Sequence, residues 1–253
     1  MKKYALDTNF SLLNSSQANE WLSKFLEIAE IAFKDSNNNI RLLGNLLVLE
    51  RYVNTLRQGL AAKGKHLSAG LQHSIDLLWE YLEGYLTPTD FQDFANDFYT
   101  CLLAFNVGTT QDAPKEFYEL YFRDTNCEAY ELLAIEWSSG LLMQLVSIAG
   151  GRLDYEEFEN YEKIDFYGID IMFHILEDGY IETTNTLCSL KEREQICQTP
   201  LFRQIIVYAQ DDLQKALNAV PNQFLSLRNK YQKYMFVPEG YETNLRESSY
   251  LKE

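Results

Sequence analysis

The stretch from Thr125 to Gly151, TNCEAYELLAIEWSSGLLMQLVSIAGG, limits what this chain can become more than any other. Tyr130, Leu133, Trp137, Leu141, Leu145 and Ile148 recur at spacings of three and four, which is one face of an α-helix. Leu132, Ile135, Leu142 and Val146 mark a second apolar face, so little of the helix can meet water. A helix that is apolar nearly all round belongs inside a bundle. Thr125 and Glu128 have the spacing of a capping box, and Gly150-Gly151 supplies a glycine stop. At about 1.5 Å per residue the helix runs roughly 35 Å, enough to thread a domain of this size. Glu131, Glu136 and Gln144 interrupt it, whereas a membrane span needs about 20 nearly uncharged residues. The expectation is a central core helix over 128–149 of an all-α, multi-helix bundle.

The rest of the chain reads as further helices around it, about eight to ten in all. Residues 1–14 make a loosely held start, and Ser16 offers an N-cap to a helix carrying Trp21, Phe25, Ile28, Ala29 and Phe33. The run Asp35-Ser36-Asn37-Asn38-Asn39 ends that helix, because these side chains compete for backbone hydrogen bonds. A second helix from Ile40 to about Leu60 turns Leu43, Leu46, Leu47, Val53, Leu56 and Leu60 inward. Ser68 opens the next, in which Leu71, Ile75, Leu78, Leu82 and Leu86 keep the beat around Trp79. Thr87-Pro88-Thr89-Asp90 is a start signal for a helix burying Phe91, Phe94, Phe98, Leu102 and Phe105. A short helix spans Pro114 to Phe122, another 166–178, and the last clear one Pro200 to Ala219, with Pro221 breaking it before a Tyr- and Lys-rich helix to about Met235. No internal repeat and no β-branched alternation interrupts this pattern. The domain expectation is one all-α domain over 1–237, followed by a polar, flexible tail at 238–253.

Hydrophobic residues make up 46% of the 253, which excludes general disorder, and five prolines with twelve glycines disfavour a many-turned β architecture. The net charge of −15 repels nucleic acid and anionic membrane and favours basic partners. The four cysteines, at 101, 127, 188 and 197, include no C-x-x-C pair, and no apolar run follows Met1-Lys2-Lys3 as a signal peptide requires. The expected compartment is the cytoplasm, with reduced thiols.

Motifs for chemistry are missing where the common mechanisms need them. Neither His66, His73 nor His174 has a Glu three residues before it, so the Glu-x-x-His pairs of di-iron bundles do not occur. Asp170, His174 and Glu177 share a helical face, a pattern read more economically as a satisfied His–carboxylate contact than as a metal site. There is no nucleophile elbow, phosphate loop or Walker lysine, and Ser138-Ser139-Gly140 lies within the central helix where small residues allow close packing. Glu50, Arg51 and Glu136 stand among apolar neighbours and are expected to be partly buried, either as a core-spanning ion pair or as a polar pocket. The expectation is a protein without catalytic residues, cofactor or metal.

One segment stands apart. Residues 154–182 hold ten acids against a single base, Lys163, with Tyr155, Phe158, Tyr161, Phe166, Tyr167 and Tyr180 interleaved. Such a segment is either a solvated face with half-buried rings or a docking surface for a basic protein, with carboxylates steering association. The candidate partner-binding residues are Asp154, Glu156, Glu157, Glu159, Tyr161, Glu162 and Asp165.

The order of motifs RLLGNLLVLERYV (41–53), LQHSIDLLWEYLEG (71–84), TDFQDFANDFYTCLLAF (89–105), AYELLAIEWSSGLLMQLVSIAGG (129–151) and TPLFRQIIVYAQDDLQKAL (199–217) resembles that of YjaG-like helical proteins of unknown function. The layout is also similar to all-α immunity proteins of bacterial polymorphic-toxin systems. Glu50-Arg51, Leu78-Trp79-Glu80 and Pro200 with Gln210 are the more telling matches, whereas 154–182 and 180–200 depart from the pattern. The resemblance implies an all-α binding protein, an immunity protein that neutralises a cognate toxin, with no catalytic residues to carry over. Two other expectations stand beside it: a housekeeping YjaG-like protein without a toxin partner, and an enzyme or small-molecule binder with a polar site near Glu50, Arg51, Glu136 and His174.

Overall fold

The computed structural model of the chain describes residues 29–62, 64–106, 113–123, 129–166 and 200–236, together with Glu27 and Thr125. The helix start at Ser16, the capping partner Glu128, the expected 166–178 helix beyond Phe166, with His174, the 180–200 connection up to Pro200 and the 238–253 tail lie outside the described residues. Among the described residues, 29–32 are helical, and the further helices are α1 (Asn38–Ala62), α2 (Ala69–Leu82), α3 (Gln92–Asn106), α4 (Lys115–Tyr121), α5 (Ala129–Ile148), α6 (Pro200–Asn218) and α7 (Phe224–Tyr231). Among the described residues there is no strand, and the fold is all-α.

Local chemistry explains most of the boundaries. The Ser68 hydroxyl accepts from the Leu71 N–H at 3.3 Å and caps α2. At Thr87-Pro88-Thr89-Asp90 the expected α-helix start is instead one 3₁₀ turn, Pro88–Asp90, and α3 begins only at Gln92. Asp90 accepts from both the Thr87 N–H (2.6 Å) and its hydroxyl (2.7 Å), which closes the turn on itself before the α-helix can run on. These bonds to Thr87 hold the Asp90 carboxyl below its ordinary value. Gly150 ends α5 at φ +71°, donating to the Ser147 carbonyl while Gly151 donates to that of Val146 at 2.9 Å. Those two bonds satisfy carbonyls that the helix leaves orphaned, and the left-handed residue between them is one that glycine adopts without a Cβ clash.

The central helix packs against α1, α2 and α3, while α6 lies along α1 and α7 returns to it. The buried apolar side chains form one contiguous cluster. Glu131–Ile148 is long and apolar enough to cross a membrane by length and composition alone, and 72% of it is buried inside the fold. Its buried polar groups serve neighbouring segments. Glu131 accepts from the Ser68 N–H at 2.7 Å, and the Ser138 hydroxyl meets that of Ser74 on α2 at 2.8 Å. Gly44 on α1 permits another close approach: a Cβ there would stand 3.1 Å from the Phe166 ring and 3.3 Å from Leu213 of α6. Cys101 is buried on α3, and burial pushes its thiol up to about 12; it behaves as a small apolar residue.

Candidate functional site

From Gly151 the chain crosses the bundle as an irregular strap, residues 152–166, broken only by a 3₁₀ turn at Glu156–Phe158 and a left-handed Asn160 at φ 69°. Backbone that runs over a core outside any helix must find hydrogen-bond partners elsewhere. Side chains of α1, α3 and α5 provide them. Gln92 accepts from the Arg152 N–H at 2.7 Å, and Asn96 accepts from that of Asp154 at 3.1 Å. Ser147 accepts from the Tyr161 N–H at 3.1 Å. Asn38 accepts from the Ile164 N–H at 3.0 Å and donates to the Glu162 carbonyl at 3.3 Å. Gln144 accepts from the Asp165 N–H, and Asn45 donates to the Asp165 carbonyl, both at 3.0 Å. The buried Arg41 donates from Nε to the Ile164 carbonyl and grips both oxygens of Glu30 at 2.8 and 2.7 Å. The strap is held at every few residues by the core beneath it.

Its aromatic side chains turn inward. The Tyr155 hydroxyl meets that of Thr100 at 2.7 Å, Phe158 packs its ring edge to face with Tyr99 at 5.0 Å, and Phe166 does so with Phe33 at 4.6 Å. Tyr161 is half-buried and stacks on Phe158. The carboxylates turn outward: Asp154, Glu156, Glu157, Glu159 and Glu162 are exposed. Asp165 is half-buried beside Glu30, and its carboxyl sits above its ordinary value through burial and then the Glu30 charge, with Arg41 and Lys163 opposing. Of the seven residues singled out by sequence, five therefore line an exposed acidic face, while Tyr161 and Asp165 help fasten it.

The acidic face extends onto helices that the sequence pattern did not connect with it. Tyr99 of α3 donates its hydroxyl to Glu157 at 2.8 Å. Burial, the bond and charge of Glu157 and the nearby Glu136 together push that hydroxyl well above its ordinary value. The Asp97 carboxyl is raised by burial and then by the charges of Asp93 and Asp154. Asp93 and Asp97 stand four apart on α3, a spacing that puts them on one face; that is the one sequence signal for them.

Glu50, Arg51 and Glu136 are not brought together. Glu136 is exposed, on the stripe of α5 that no neighbour covers, which corrects the expectation that it is partly buried. Successive residues of a helix diverge by about 100°, so Glu50 and Arg51 leave α1 toward different neighbours. Glu50 accepts from the Trp79 indole N–H of α2 at 2.7 Å. Burial raises its carboxyl above the ordinary value, against the Trp79 bond and the charges of Arg57 and Arg228, with Asp76 adding to the rise.

Arg51 instead forms a core-spanning ion pair with a residue the sequence did not single out. Its Nε and Nη2 each reach an oxygen of Asp212 on α6 at 2.7 Å, a two-pronged fit of fork to carboxylate. Burial lowers the Arg51 value, and the bonds and charge of Asp212 more than reverse this, leaving it above ordinary. The Asp212 carboxyl is itself pushed up by burial, against Arg51 and the Tyr231 hydroxyl that donates to it. The guanidinium lies within 4.6 Å of the Tyr208 ring centre and 5.1 Å of that of Tyr234. Nothing in a separation of 161 residues marks Asp212 as the partner of Arg51.

Among the described residues no three His, Cys, Asp or Glu side chains gather in a metal-binding group. No protein-family model, curated protein or solved structure matches the chain.

Proposed function

We propose that the chain is a non-catalytic binding protein whose acidic strap takes a basic protein partner. The partner class we infer is a toxin domain, which the chain neutralises in the cytoplasm as an immunity protein. The observation that carries this reading is the pairing of five exposed carboxylates on 154–162 with a backbone fastened to the core by Gln92, Asn96, Ser147 and Asn38. A row of like charges on a loose loop would be screened and would lose entropy on docking. A row on a pre-positioned strap steers a cationic partner and spends little on ordering. Asp93, Asp97 and Glu136 widen the negative field around it. The resemblance to all-α immunity proteins supplies the partner class.

The test is co-expression with the reading frame immediately upstream, followed by stopped-flow association of the purified pair at several salt concentrations. Reversing Glu156, Glu157, Glu159 and Glu162 to Lys together should slow association by ten- to a thousandfold at low salt and flatten its salt dependence. If the four reversals change neither rate nor salt slope, the strap is not the docking surface. If the upstream product is harmless to cells lacking this chain, the immunity reading fails.

A further inference from the structure

A cleft of about 390 Å³ opens above the middle of α1, between α6 and the segment that follows α7. The buried Arg51 forms its floor, the rings of Tyr208 and Tyr234 flank it, and Lys215, Lys233 and Asp211 stand at its mouth. Three cations (Arg51, Lys215, Lys233) face two carboxylates (Asp211, Asp212). One positive charge is thus left in excess at this point of a chain whose net charge is −15. Lys215 is paired with Asp211 one helical turn before it. Lys233 has no carboxylate partner among the described residues and is exposed.

The orientation of Arg51 is the decisive detail. A guanidinium carries five N–H donors in a rigid fork. Asp212 takes one from Nε and one from Nη2, and the Met235 carbonyl takes one from Nη1 at 3.2 Å. One N–H on each of Nη1 and Nη2 is left for a further acceptor, and a guanidinium can grip a carboxylate or phosphate in two-pronged fashion. A buried Arg–Asp pair adds little stability over apolar residues of the same volume. Fixing a guanidinium at the foot of a cleft, with aromatic walls, serves recognition better than it serves the core.

We propose that this cleft binds a small molecule that joins one phosphate or carboxylate to a flat ring, the class to which nucleoside monophosphates belong. The volume lies at the lower end of small-ligand sites, about 300–1,000 Å³. The anion would lie on the remaining N–H groups of Arg51 with Lys233 beside it, and the ring would stack on Tyr234, which is 37% exposed. An anion alone gains little, because Lys215 and Lys233 are solvated and screened; the ring is needed. This site uses none of the strap carboxylates and stands or falls independently of them.

The test is calorimetric titration of the full chain with adenosine monophosphate, adenosine and inorganic phosphate. Adenosine monophosphate should bind saturably, with adenosine and phosphate each at least about tenfold weaker. Tyr234→Ala should weaken it about tenfold and Lys233→Gln about threefold. Lys233 is exposed, so its variant should melt like the parent, and Tyr234→Phe, which keeps the ring packed on Tyr231 and Arg51, should bind the monophosphate like the parent. Arg51 is left untouched because its loss would strand Asp212 in the core. The proposal is overturned by the lack of saturable binding, by binding that neither substitution changes, or by phosphate or adenosine alone binding as tightly as the monophosphate.

Discussion

Helices α1 and α5 each carry a long unbroken buried run, yet the two runs are built from opposite materials. In α5, residues 137–146 are buried without a break, and all but Ser138, Ser139, Gly140 and Gln144 are apolar. In α1 the unbroken buried run is 41–56, and it includes Arg41, Asn45, Glu50, Arg51, Asn54 and Thr55. Hydrophobic burial has no direction, so the apolar side chains of α5 can hold three helices around it without specifying anything irregular. Hydrogen bonds have direction, and α1 uses them to hang segments that are not helices. Arg41 and Asn45 hold the strap at Ile164 and Asp165. Asn54 donates to the Tyr231 and Tyr234 carbonyls at 2.6 and 3.0 Å, and Thr55 accepts from the Phe236 N–H at 2.9 Å. The Arg51 cleft is therefore positioned by the polar helix, and the strap by polar side chains of that helix together with Gln92 and Asn96 of α3 and Ser147 and Gln144 of α5, while the apolar residues of α5 supply the mass against which both are pressed.

The sharpest break in that comparison comes at Asp212. Removing one partner of a buried ion pair strands the other charge, which costs about 3–5 kcal/mol. Asp212→Ala should lose that much in urea denaturation, because Arg51 keeps a full charge and an unfilled fork in the core. The double variant Arg51→Met with Asp212→Leu should recover most of it, since apolar residues of similar volume replace such pairs at little net cost. A loss below about 1 kcal/mol for Asp212→Ala would mean that the polar residues of α1 are incidental to its seating.

On α5 the corresponding change is Leu142→Ala, a fully buried side chain. A cavity left in a close-packed core should cost about 3 kcal/mol. Its signature should differ in kind as well as size. Hydrogen exchange should accelerate across the whole bundle, with the Ile164 and Asp165 amides no more affected than the rest, because Asn38 and Gln144 still hold them. Selective loosening of the strap would show that α5, too, positions irregular segments through its apolar surface.

That division also explains what was legible in the sequence. Apolar periodicity announces burial, so the central place of α5 and the inward residues of α1 could be read directly. Ser68, Pro114 and Gly150 declare their boundaries through local chemistry. Polar partnerships carry no such period. Gln92, Asn96, Asn38 and Gln144 look like ordinary surface amides until the fold brings a backbone N–H to each. Asp212 is in the same position with respect to Arg51. Glu136 reads as buried for a related reason: its neighbours are apolar, but only the arrangement of α1, α2 and α3 decides which stripe of α5 stays uncovered. The acidic face was legible as composition, whereas its rigidity depends on residues far away in the chain.

The smallest expected effect tests whether α1 uses its buried polar groups as hydrogen-bonding pegs or as charges. Glu50 accepts from the Trp79 indole while burial holds its carboxyl above its ordinary value of 4.5. A carboxyl raised in the folded state binds its proton more tightly there than in the unfolded chain. Its stabilising contribution is therefore complete below the ordinary value and is lost as pH rises through the folded one. At pH 8 the ionised group is then a net cost, offset only in part by Trp79, Arg57 and Arg228. Glu50→Gln keeps an oxygen for Trp79 without the charge, so urea midpoints should favour the variant at pH 8 and converge with the parent below about pH 4. A variant less stable at pH 8 would mean that Arg57 and Arg228 rely on the Glu50 charge, and that this part of α1 holds its neighbours by electrostatics rather than by the direction of its bonds.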